Sequence, residues 1–153
     1  MVKYLIDKIV ENVYVLRLND NETKYFEALW PIPEGITYNS YVILTEEGAI
    51  LLDTWKHSYV DLFIEALNNV TDLRDIKYII IHHMEPDHSG ALPTLLNTIS
   101  NAKVMGYPMV LNMLELFYRV KPLFKAVKDS EVFTSGKKFL GSFTHLGFIG
   151  LKL

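Results

Sequence analysis

Hydrophobic positions in this chain fall into short β-branched or aromatic runs, separated by stretches in which apolar residues recur every three to four positions. Val13 to Leu18 and Thr37 to Thr45, the latter carrying Tyr38, Tyr41, Val42 and Ile43, predict strands. Glu46-Glu47-Gly48 makes a turn. Ala49 to Leu52 is a continuous apolar run ending in Asp53-Thr54, as expected of a buried strand whose polar residues emerge at its C-terminal edge. From Ser58 to Asn69 the residues Val60, Leu62, Phe63, Ile64, Ala66 and Leu67 keep helical spacing, with Asn68-Asn69 as the stop. Tyr78-Ile79-Ile80-Ile81 is too short for a helix and is flanked by charge. It predicts a second buried strand, reached by crossover and therefore parallel.

Pro86 and Gly90 make His82 to Gly90 a loop, after which Ala91 to Ile99 is helical. Val104-Met105 reads as a third short strand. Pro108 to Lys121 reads as a helix on the spacing of Met109, Val110, Met113, Leu114 and Phe117, with Pro108 tolerated near its start. Val132-Phe133 and Lys138 to Thr144 are candidate strands around a Ser135-Gly136 turn, weakened by Gly141, Gly147 and Gly150. No internal repeat or low-complexity linker is present. The alternation of strands and helices gives an α/β class.

Composition narrows the picture. The 153 residues, half of them hydrophobic, suffice for one domain and leave no room for two. A net charge of −3 offers no broad positive field for nucleic acid or anionic lipid. The absence of cysteine excludes disulfides, iron–sulfur clusters and a thiolate iron site, so any metal must use histidine and carboxylate. The N-terminal stretch reaches the charge of Lys3 and Asp7 too early for a secretory core, and no apolar run reaches spanning length. The expectation is a cytoplasmic protein with neither nucleic-acid nor membrane partners.

The chemistry concentrates between a buried strand and a helix, in His82-His83-Met84-Glu85-Pro86-Asp87-His88-Ser89-Gly90. Such junctions host sites in α/β folds. Pro86 disfavours helix at Glu85 and keeps the segment extended there, so residues two apart share a side and His83, Glu85 and Asp87 converge. His88 then turns back as the chain bends. Two imidazoles and two carboxylates within six positions suit a pair of cations, for which carboxylate offsets charge and imidazole defines geometry. Glu85 makes the site oxygen-rich, favouring iron or manganese over zinc, with iron first. The zinc-protease pattern is excluded, because its two histidines need one continuous helix face. The competing reading is a solvated loop in which Ser89 or Asp87 caps the next helix, a role that accounts for one residue of the four.

By the same alternation His82 faces away from His83 and is read as a packing or surface residue, as are His57 and His145. Asp53 either accepts a hydrogen bond from a ligating imidazole or caps its turn. Trp30, beside Pro31 and Pro33, is a candidate wall of a substrate pocket, with core packing as the alternative.

The sequence His-x-Glu-x-Asp-His-Ser-Gly from His83 to Gly90 resembles the diiron loop of flavodiiron proteins. Phe26-Glu27-Ala28-Leu29-Trp30-Pro31, Gly35-Ile36-Thr37-Tyr38-Asn39-Ser40-Tyr41 and Leu51-Leu52-Asp53-Thr54 resemble the same family in the same order. The resemblance runs to about Phe143. It implies half of a metallo-β-lactamase-type αββα sandwich, a mixed sheet flanked by helices. It also implies a non-haem diiron centre that reduces dioxygen or nitric oxide, fed by FMN in a following flavodoxin-like domain. Carried over, His83 and Glu85 would bind one iron and Asp87 the other, with His88 a ligand in some members. The bridging carboxylate and two further histidines would come from later segments.

Where the family continues into a Leu-His-Trp-Pro-Asp element, this chain reads Phe148 to Leu153, with Gly150 about where the third ligand belongs and His145 off the register. That departure suggests truncation or a shifted frame near Gly147. The expectation is therefore one truncated domain over residues 1–153, with no flavodoxin-like domain, no FMN of its own and partial or absent iron. A lone half would leave the inner face of its sheet bare, which predicts a homodimer through that face. An electron-donor flavoprotein or a complementary chain would be the other partner. Three functions follow in order: an inactive fragment of a diiron oxidoreductase, a non-catalytic remnant that dimerises, and a metal-dependent hydrolase, which Glu85 opposes.

Overall fold

The structure is a computed structural model that describes residues 3–26, 28–99, 101–145 and 148–152, with backbone alone for residues 139, 142–145 and 148–152. Gly147 and Leu153 lie outside the described residues, as does the side chain of His145. The elements in chain order are β1 (Lys3–Val10), β2 (Val13–Asp20), β3 (Tyr25–Phe26), β4 (Trp30–Pro31), β5 (Ile36–Thr45), β6 (Gly48–Leu52), α1 (Val60–Asn68) and β7 (Ile76–Ile81). There follow α2 (Pro86–Ser89), α3 (Leu92–Thr98), β8 (Lys103–Gly106), α4 (Pro108–Met113), β9 (Phe124–Ala126), β10 (Val132–Ser135), β11 (Lys138–His145) and β12 (Phe148–Lys152).

The main sheet has seven strands in the order β1-β2-β5-β6-β7-β8-β9. Its first half is antiparallel, and β6, β7, β8 and β9 run parallel. The parallel pairing of β6 with β7 follows the predicted crossover through α1, which buries Phe63, Ala66 and Leu67. The helices cover one face, where Leu16, Leu18, Val42, Leu51, Ile79 and Ile81 pack with Trp55 and Leu92. A mixed sheet with flanking helices is thus the observed architecture. No helix among the described residues is long and apolar enough to cross a membrane.

The opposite face departs from expectation. Ile43, Ile50, Leu52, Ile80 and Met105 point to it and are buried, because Val127, Phe133 and Leu140 lie over them. Phe133 meets Tyr78 edge-on at 4.7 Å between ring centroids. The β10–β11 hairpin, with β12 paired to β11, forms a small second sheet on this face. The middle of the surface on which a homodimer was expected is therefore occupied by the chain itself, and Tyr41 retains 37% exposure.

Other boundaries shift for local reasons. Residues Pro108 to Lys121 do not form one α-helix: α4 gives way to a π turn at Leu114–Tyr118, and Arg119 ends it in the left-handed conformation at φ 56°. Strands β1, β3, β4, β9 and β12 form although no sequence expectation named them. Gly150 sits in β12 opposite Phe143, in a hairpin register.

Candidate metal centre

The site begins at the end of β6. Asp53 leaves the strand at φ 57°, a conformation costly for a residue other than glycine, and its buried carboxylate turns towards the loop after β7. Oδ1 accepts the His82 amide at 2.8 Å. Oδ2 lies 2.8 Å from Nδ1 of His82 and 2.9 Å from Nδ1 of His88. Burial pushes this carboxyl up, but the hydrogen bonds from His82 and His88 outweigh it and hold it at about 2. Both imidazoles therefore face an ionised acceptor, which favours the Nδ1–H tautomer and leaves Nε2 as the ring nitrogen with a lone pair.

Thr54 continues the attachment: its amide and hydroxyl donate to the His88 carbonyl at 2.7 and 2.9 Å, and the Ala91 amide donates to the Trp55 carbonyl at 2.8 Å. Gly90 permits this contact. A Cβ there would stand 2.4 Å from the Pro86 carbonyl oxygen and 2.6 Å from the His57 nitrogen.

Within the loop, Glu85 is extended at φ −63°, ψ 143°, as its place before proline requires. Pro86 then starts the one-turn helix α2, so Asp87 is helical and the alternation that was to align it with His83 and Glu85 stops at Glu85. The four residues are neighbours nonetheless. The His83 and His88 rings are 3.9 Å apart between centroids, His88 Nε2 is 3.5 Å from Asp87 Oδ2, and His83 Nδ1 is 3.8 Å from Glu85 Oε2. Desolvation outweighs its anionic neighbours and, with the charge of His88, lowers the His83 value. For His88, desolvation is overcome by the Asp53 hydrogen bond and charge, which raise it.

The donor set fits a hard or borderline cation in kind, and buried Asp87 Oδ1 has no hydrogen-bond partner among the described residues. The enclosure is incomplete: among the described residues, no group of three or more His, Cys, Asp or Glu side chains is arranged to hold a metal ion.

Beside Glu85 lies a mainly apolar cleft of about 430 Å³, lined by His83, Glu85, Tyr107, Met109, Met113 and Phe117 among others. Trp30 lines neither this cleft nor the core: it is 60% exposed on β4, stacked on Phe26. His57 is exposed at the start of a 3-10 turn, and the His145 side chain is outside the described residues. His82 corrects the alternation argument, because its ring shares an acceptor oxygen with His88. The loop's backbone turns at Asp53's carboxylate, which periodicity does not register. Thr54 and Tyr118 were also missed. Thr54 had a signal in the polar end of the Ala49 to Leu52 run, whereas nothing local marks Tyr118, which meets Ser89 from 29 residues away.

Residues 36–145 match the family model described as ODP family beta lactamase. The anaerobic nitric oxide reductase flavorubredoxin of Vibrio vulnificus is 36% identical over 97 residues, which is 63% of this chain and 19% of that protein. The rubredoxin-oxygen oxidoreductase of Megalodesulfovibrio gigas is 29% identical over 86% of this chain and 33% of its own length. Among solved structures, a mutant flavo di-iron protein from Thermotoga maritima superposes with a TM-score of 0.91 at 36% identity, covering 99% of this chain and 40% of that one. The chain thus spans less than half the length of each of these relatives.

Proposed function

Because this chain belongs to the ODP family of β-lactamase-like domains, we propose that it supplies the loop-bearing part of a flavodiiron-type centre for reducing dioxygen or nitric oxide and is inactive alone. The observation that carries this reading is a buried Asp87 carboxylate oxygen with no hydrogen-bond partner among the described residues, beside a His88 whose Nε2 is turned to Asp87 by the Asp53 contact at Nδ1. His83 and Glu85 would hold one iron, Asp87 the other, and His88 stands by as a further donor. Iron, when bound, would pass to the gas electrons delivered by a flavin donor. The chain's own residues do the rest: Asp53 orients His88, and Thr54 holds its carbonyl.

In this reading residues 1–153 are a single metallo-β-lactamase-like domain in the cytoplasm. The remaining ligands, the flavin and the electrons come from a complementary chain or an electron-donor flavoprotein, and a second copy of the chain is a further partner. The names of the relatives support reduction of oxygen or nitric oxide as the chemistry. Metal analysis of anaerobically purified protein tests the reading. At least one iron per chain, lost in His83→Ala, is the expected result, with two irons per site once the complementary ligands are supplied.

The lack of a three-residue metal cluster among the described residues favours a second reading, a non-catalytic remnant that binds one ion weakly or none. Less than one ion per chain would decide for it.

A further inference from the structure

The loop is fastened from β6 through Asp53 and Thr54, and it is also met by the π turn that follows α4. Ser89 Oγ is fully buried, 3.1 Å from the Met84 carbonyl, 3.0 Å from the Glu85 carbonyl and 2.8 Å from the Tyr118 hydroxyl. A serine hydroxyl carries one proton. The two carbonyls can only accept, so the arrangement that makes all three contacts sends that proton to them and has Tyr118 donate to Ser89. The result is a relay, Tyr118 O–H to Ser89 Oγ–H to the backbone of Met84 and Glu85. In such a chain each bond polarises the next. The Glu85 carbonyl also accepts the amides of His88 and Ser89 at 2.9 and 3.0 Å, so the peptide between His83 and His88 is fixed at one oxygen.

Tyr118 reaches Ser89 from the last residue of the π turn, a rare geometry that occurs often at functional sites. Two consecutive residues of that turn touch the loop's surroundings: Phe117 lines the cleft with His83 and Glu85, and Tyr118 holds Ser89.

We propose that Tyr118 is a positioning residue for the metal-binding loop, acting through Ser89 to hold the Met84–Glu85 backbone between His83 and His88. The role is a clamp on geometry and involves no contact with a metal or substrate. It deepens the reading of the loop as a metal half-site and rests on that reading for its functional meaning.

The test uses the full chain with Tyr118→Phe, Ser89→Ala and the double variant, read first by amide hydrogen exchange of the peptide spanning residues 82–91. Tyr118→Phe keeps the ring and removes only the hydroxyl. Exchange in that peptide should rise on the order of fivefold to tenfold in either single variant. The double variant should exceed neither, because both substitutions break the same relay. Peptides covering residues 13–20 and 36–45 should not change.

Unchanged exchange in Tyr118→Phe, additive effects in the double variant, or equal acceleration in the remote peptides would overturn the proposal. The second measurement is anaerobic titration with ferrous ion. Weaker binding in Tyr118→Phe than in the unmodified chain is expected, and equal affinity counts against positioning. Should the unmodified chain bind no ferrous ion, the metal reading of the loop falls, while the exchange data still decide whether the clamp exists.

Discussion

Asp20 ends β2 fully buried, yet its carboxylate is well supplied with donors. The amides of Glu22 and Thr23 each donate to Oδ1 at 2.9 Å, and the hydroxyls of Thr23 and, at 3.4 Å, Tyr38 reach Oδ2. Burial favours the neutral acid, but donors from Thr23, Tyr59 and Glu22 outweigh it and hold the carboxyl below its ordinary value. A depressed carboxyl contributes stability that is fully present above the unfolded chain's value, near ~4, and lost as pH falls through the folded one. Asp20→Ala should therefore lower stability at pH 7 by about 1–3 kcal/mol, leaving the donors from Glu22, Thr23, Tyr38 and Tyr59 short of an acceptor. The gap to the unmodified chain should narrow on acidification below ~pH 4. Urea denaturation at pH 7 and pH 3 measures both, and a gap that does not vary with pH would refute the assignment. The same carboxylate, with burial, raises the Tyr38 hydroxyl above its ordinary range, and burial lifts Tyr59 to about 12, so both are donors at neutral pH.

At the scale of elements, the loop is as much a packing problem as a ligand set. Gly90 has an ordinary helical backbone, at φ −64°, so its need for glycine is purely steric. Gly90→Ala would drive a methyl into the Pro86 carbonyl and the backbone of His57, neither of which is a flexible side-chain end. The expected cost is roughly 1–3 kcal/mol with loosening of α2. Thermal unfolding checks the cost, and a shift within error of zero would mean that the close approach is not maintained in solution.

This explains what could be read from the sequence and what could not. Strands β2, β5, β6 and β7 and the helix at Val60–Asn68 were legible because burial on one or both faces imposes a period of two, a continuous apolar run, or a period near 3.6. The four loop residues were legible because their types are dense in six positions. Their supports were not. His82 belongs to the Asp53 network only because the chain turns there, and Tyr118 arrives through a π turn that breaks the helical period used to predict Pro108 to Lys121. β1 escaped notice because only one side of it packs on the domain: Leu5, Ile9 and Val10 remain about half exposed.

For the whole molecule, the deciding feature is the hairpin that lies over the second face of the main sheet. Leu140, 1% exposed, inserts among Ile43, Ile50, Leu52 and Ile80. If the hairpin is an integral layer, Leu140→Ala should cost about 2–5 kcal/mol, the range for a core leucine that leaves a cavity. Equilibrium denaturation measures it. A loss below about 0.5 kcal/mol, typical of a surface change, would show that the hairpin is loosely attached and that this face is available to a partner after all.

The strand order of the main sheet rises in one direction from β1 to β9, with every strand docked on one made earlier in the chain. During synthesis, which folds chains from the N-terminal end, Asp53 and Thr54 leave the ribosome 35 and 34 residues ahead of His88, which they will hold. The cradle thus exists before its occupant arrives. Once the chain as far as Gly90 has emerged, Asp53 and Thr54 are present to seat His88, whereas the tyrosine latch waits for Tyr118, 29 residues beyond Ser89.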